Sequence, residues 1–142
     1  MLRSLVILLF AAPLAFAAPV PKELKRGDET RILGTWDMVA HSMAGGPPTP
    51  QTVKWRLEPG GQAFILNPTE IAIGYKLHGG SFPKGFDWNW PGSSHLGLYE
   101  LDGDTLKVVI ASTGGSARPT ELKPGLDVIY CEFKRAPMGG TK

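Results

Sequence analysis

Cysteine is almost missing from this chain of 142 residues: Cys131 stands alone, so no internal disulfide can form. A lipid-bearing cysteine behind a bacterial leader is excluded as well, because Cys131 lies near the far end. Charge of one sign is missing too. Fifteen Lys and Arg face thirteen Asp and Glu, for a formal net charge of +2, and they are interspersed. The one dense charge run, residues 22–29, alternates in sign. With no basic stripe, nucleic acid is not an expected partner. No apolar run approaches the roughly 20 residues of a membrane-spanning helix. The most apolar stretch, residues 5–16, is uncharged but too short.

Reactive constellations are equally scarce. The three histidines, His41, His78 and His95, are far apart in sequence, and none lies within metal-ligand spacing of another or of Cys131. They point to no metal site and no cofactor, although a single His as an axial haem ligand would leave no such pattern. There is no Gly-x-Ser-x-Gly elbow. Asp102-Gly103-Asp104 lacks the further acidic ligands and distal Glu of a calcium loop. Asn67-Pro68-Thr69 has proline where a glycosylation acceptor forbids it. Asp87, Glu100 and Glu121 are the acidic residues best placed for hydrolysis, but nothing pairs them, and Asp87 alternates outward toward solvent. A non-enzymatic protein is the expectation.

What is present begins with a leader. Arg3 precedes the apolar run, and Ala15-Phe16-Ala17 supplies the small-x-small pattern of a signal peptidase site. Residues 1–17 therefore read as a signal peptide, and the mature protein as exported and soluble, periplasmic or secreted, with no stable membrane anchor. Residues 18–31 form a linker in which 22–33 has room for one short turn. Residues 32–135 are the domain, and 136–142 a flexible tail.

Within the domain the period is two, broken by Gly and Pro. Trp36, Met38 and Ala40 alternate with Asp37, Val39 and His41 before Gly45-Gly46-Pro47-Pro48 interrupts. Val53, Trp55 and Leu57 alternate with Lys54, Arg56 and Glu58, and Pro59-Gly60-Gly61 turns the chain into 62–66. Ile71, Ile73, Tyr75 and Leu77 share a face, as do Phe86, Trp88 and Trp90. Residues 95–101 and 105–111 flank Asp102-Gly103, a hairpin signal that implies a type I′ turn. The last strand, 127–135, puts Ile129, Cys131, Phe133 and Arg135 in phase, with Cys131 a buried, inert thiol. Eight strands predict an all-β, eight-stranded antiparallel up-and-down barrel, with a two-sheet β-sandwich as the alternative.

The quoted motifs carry a resemblance. Gly34-Thr35-Trp36, Phe82-Pro83-Lys84-Gly85-Phe86-Asp87, Tyr99-Glu100-Leu101-Asp102-Gly103-Asp104-Thr105-Leu106, Arg118-Pro119-Thr120-Glu121 and Phe133-Lys134-Arg135 occur in that order. Together they resemble an exported, lipocalin-like domain of unknown function found in planctomycete bacteria, over about residues 32–135. The resemblance implies a fold and a compartment, but no activity. It departs from that pattern after the Asp-Gly turn, where Val108-Val109-Ile110-Ala111 replaces a cysteine-containing segment. In lipocalin-like barrels the Trp after the first glycine plugs one end under a late basic residue. Gly34 and Trp36 fit the first role, and Arg135, with Arg118 as its rival, fits the second.

The aromatic set carries the functional expectation. Trp55, Tyr75, Trp88, Trp90 and Tyr99 are candidates to hold a small apolar or aromatic ligand. Loops 42–51 and 112–126 are the candidates to shape the mouth. Because the inward residues are mostly large, a mostly filled barrel with a shallow pocket is expected. A fully filled interaction module, working through exposed patches around Phe82-Pro83-Lys84-Gly85 or Ala117-Arg118-Pro119-Thr120, is the alternative.

Overall fold

The computed structural model describes residues 27–79 and 83–137. The expected leader at residues 1–17, residues 18–26 of the expected linker, Phe82 and the expected tail beyond Pro137 lie outside the described residues. Eight strands follow one another around a closed antiparallel barrel: β1 (Gly34–Met43), β2 (Lys54–Glu58), β3 (Gln62–Asn67), β4 (Thr69–His78), β5 (Lys84–Trp90), β6 (Ser93–Asp102), β7 (Thr105–Ala111) and β8 (Val128–Arg135). Each pairs with the next, and β8 returns to β1, so the sheet has no free lateral edge. The up-and-down barrel expected from the alternation is the fold, rather than the sandwich.

Three local features differ from plain alternation. The β6–β7 hairpin pairs Asp102 with Thr105, so its central residues are Gly103 and Asp104. Only Gly103 has positive φ, at 56°, which is the sign pattern of a type II′ turn and not the expected I′. In the linker, residues 28–31 form one helical turn, α1 (Asp28–Arg31), and Ile32 behind it is fully buried. The domain therefore begins earlier than its first strand.

The third difference is in β1. Met38 faces Phe133 and His41 faces Cys131, but between them Val39 and Ala40 together oppose Glu132. This β-bulge breaks the alternation, so His41 and not Ala40 joins Met38 on the inner face. Bulges of this kind re-aim side chains at barrel rims.

The inner residues build a core of Trp36, Met38, Trp55, Leu57, Ala63, Ile73, Tyr75, Phe86, Trp88, Tyr99, Leu106, Val108, Ile110, Cys131 and Phe133, with Ile32 added from below. A smaller layer lies on the outside. Leu98, Val109 and Tyr130 point away from the core cluster yet are buried. Residues 112–127 run along this wall, bonded through Gly115 N–H to the Ser94 carbonyl, Arg118 to the Gly97 carbonyl, and the Gly125 carbonyl to Gly45 N–H. The loop expected at the mouth thus covers the barrel's flank.

Candidate functional site

The two ends of the barrel differ in chemistry. At one end the sequence Ile32-Leu33-Gly34-Thr35-Trp36 closes the bore. Trp36 is fully buried, and its indole N–H donates to the Ile32 carbonyl at 2.8 Å. Gly34 enters the strand at φ 119°, a conformation that a side chain would strain. The Arg135 guanidinium lies 4.2 Å from the centre of the Trp36 ring. It also donates to the carbonyls of Leu33 (2.8 Å) and Arg31 (2.7 Å) and to the Asp104 carboxylate (3.0 Å). Arg135, and not Arg118, takes the place over the tryptophan.

Asp28 of α1 completes this end. It accepts from Lys84 at 2.6 Å and from the Tyr99 hydroxyl at 2.8 Å, and Arg31 lies 3.2 Å away. Burial opposes ionisation of Asp28, but the hydrogen bonds from Lys84 and Tyr99 outweigh it and hold the carboxyl below its ordinary value. Burial and the Asp28 carboxylate push the Tyr99 phenol far upward. Tyr99 is thereby a member of the seal. Tyr75 is tied likewise, its hydroxyl donating to the Glu58 carbonyl at 3.1 Å beside the β2–β3 turn. Neither tyrosine lines the cavity, so two of the five candidate ligand residues belong to the packed half.

Arg118 acts elsewhere. It reaches over β5, where Gly85 leaves the space its guanidinium fills, and lies 2.8 Å from Asp87 Oδ1. His78 Nε2 is 2.6 Å from the other carboxylate oxygen. Asp87 does point away from the core, as its alternation requires, but it is covered and not solvated: only 16% of its side chain is exposed. Burial alone would raise its pKa, yet His78 and Arg118 lower it overall.

At the other end a cavity of about 330 Å³ opens between the strands. Trp55 and Trp88 form part of its floor, stacked at 4.4 Å with an 18° interplanar angle, and Phe133 and Phe86 pack behind them. Trp90 stands at the rim, 37% exposed. Met38, Val53, Ile65, Ile110 and Ile129 make the apolar walls. Four polar side chains line it as well: His41, Gln51, Asn67 and His95. Among the described residues no Lys, Arg, Asp or Glu does. Cys131 also lines this cavity; it is 2% exposed, and burial pushes its thiol up to about 12, so it is an unreactive part of the wall.

The histidines differ in freedom. His95 Nδ1 lies 2.9 Å from the Ala111 carbonyl and Nε2 lies 3.1 Å from the Ser93 hydroxyl. A carbonyl only accepts, so Nδ1 carries a proton, and both ring nitrogens are engaged. The His41 ring has no hydrogen-bond partner among the described residues; only its backbone pairs, with Thr49. Sequence alternation missed His41 because the bulge sets its direction. The run Met38-Val39-Ala40, three apolar residues in a row, is the local sign that strict alternation fails there. Met38, Gln51, Asn67, Ile110 and Ile129 were not among the candidates either, since their height along the barrel is not written in their phase.

Among the described residues no three His, Cys, Asp or Glu side chains are grouped to hold a metal ion. No described helix is long and apolar enough to cross a membrane. The class of protein is a closed eight-stranded antiparallel barrel of lipocalin-like form, plugged at one end and hollow at the other. No family model matches the chain, and neither a curated protein nor a solved structure does.

Proposed function

We propose that this is an exported, non-enzymatic lipocalin-like protein that binds a small apolar or aromatic molecule in the open half of its barrel. One observation carries the proposal: three tryptophans, Trp55, Trp88 and Trp90, converge on a cavity of about 330 Å³ with mostly apolar walls and, among the described residues, no Lys, Arg, Asp or Glu in its lining. That volume falls at the lower end of ordinary ligand pockets, roughly 300–1,000 Å³. A fully filled interaction module would have no use for such a void, whose apolar lining forgoes packing contacts. Export to the periplasm or beyond rests on the leader at residues 1–17, and the resemblance to the planctomycete domain supports the same compartment.

Native mass spectrometry of the mature protein from its own host tests the proposal. A surplus mass of roughly one to a few hundred daltons that disappears on denaturation is expected. Equal native and denatured masses, persisting after incubation with a lipid and metabolite extract, would reject ligand binding. Trp90→Ala refines the result. Because Trp90 is partly exposed at the rim, its loss should change unfolding stability by under about 1 kcal/mol, while affinity for the retained molecule, measured by calorimetry, falls by about fivefold or more.

A further inference from the structure

The size and lining of the cavity narrow the ligand further. An apolar cavity of about 150 Å³ accepts benzene, so about 330 Å³ accommodates roughly two fused rings, on the order of a dozen non-hydrogen atoms. A haem macrocycle is several times larger. A fatty acid meets a second obstacle, because its carboxylate would lie among described side chains that include no Lys or Arg, and an unpaired buried charge is strongly unfavourable. Indole surfaces from three tryptophans favour an aromatic guest over a branched aliphatic one.

The polar side chains say where the guest carries its heteroatoms. His41 enters the cavity only because the bulge at Val39 and Ala40 brings it into phase with Met38. Its ring is half-buried and has no protein partner among the described residues. Gln51 and Asn67 add amides that both donate and accept on the same cavity. His95, by contrast, is already engaged by Ala111 and Ser93.

We infer that the cavity takes an uncharged bicyclic heteroaromatic molecule, stacked on Trp55, Trp88 or Trp90, with its polar edge hydrogen-bonded to His41. This rests on the ligand-binding reading of the same cavity. A neutral guest of this kind satisfies the free imidazole and leaves no uncompensated charge inside.

The test titrates the folded protein by calorimetry with three probes: 2-quinolinone, naphthalene and dodecanoate. The first two are expected to bind and dodecanoate not to bind. In His41→Leu, 2-quinolinone should weaken by about tenfold and naphthalene should not weaken, which also shows that the variant keeps its cavity. Binding of dodecanoate without 2-quinolinone would overturn the ligand class and leave the ligand-binding reading standing. An equal response of both ring compounds to His41→Leu would overturn the assignment of the polar edge. Failure of all three probes at concentrations up to about 1 mM would overturn this inference, while a surplus mass found on the native protein would still uphold ligand binding by another class.

Discussion

The plugged and hollow halves of the barrel share the same eight strands but use them differently. In the plugged half Ile32, Trp36, Phe86, Leu106 and Phe133 are all fully buried. The polar atoms around them are hydrogen-bonded: Trp36 to Ile32, Tyr99 to Asp28, and Arg135 to three acceptors. In the hollow half Met43, Ile71 and Trp90 remain exposed, and His41 has no protein partner among the described residues. Packing and hydrogen-bond satisfaction are thus concentrated at one pole. That concentration relieves the other pole of any need to be well packed, which is the physical condition for a void to persist in a folded domain.

The contrast is broken most directly by Trp36→Ala. The side chain is fully buried with its N–H satisfied, so the change should cost about 3–5 kcal/mol, measured by chemical denaturation. A cost near that of Trp90→Ala would show that the two halves contribute alike.

Arg135→Lys should be milder, because an ammonium keeps the charge but not the fork that reaches Leu33, Arg31 and Asp104 together. A loss of about 1–2 kcal/mol is expected, with ligand affinity unchanged. A fall in affinity without a fall in stability would mean that the plug and the cavity are coupled.

The smallest effect concerns the flank, where Arg118 and His78 hold Asp87. Its carboxyl has a lower pKa in the folded protein than the ordinary 3.8. The stabilisation is therefore present above 3.8 and is lost as pH falls through the lower folded value. As pH falls below about 4, the Tm of the native sequence should drop more steeply than that of Asp87→Asn, which is less stable at neutral pH but flatter. Parallel curves would remove the loop clamp from the account of the fold.

Much of the fold was legible in the sequence. Alternation in residues 53–58 and 71–77 placed strands and inner faces, and Gly and Pro marked their ends. The phase of Ile129, Cys131, Phe133 and Arg135 delivered the guanidinium to the tryptophan. The candidate site was half legible. Phase distinguishes inside from outside but not height along the axis, which depends on strand tilt and register around the closed sheet. Tyr75 and Tyr99 accordingly face inward with Trp88 yet belong to the seal. His41 was hidden because a bulge inserts one residue without leaving a strong compositional mark. The path of residues 112–127 was hidden because its clamp joins Arg118 to a carboxylate thirty-one positions earlier, by ion pairing with no short-range signature.

The meeting of α1 with the end of β8 has a practical consequence for handling the molecule. Arg135 bonds the carbonyls of Arg31 and Leu33, and Ala136 N–H bonds that of Thr35, so both termini of the described domain sit at the sealed pole. A tether or fusion partner joined at Gly27 or at Pro137 therefore attaches opposite the mouth. Immobilised by either terminus, the barrel presents its opening to the bulk solution, and a reporter attached there samples guests without standing in their way.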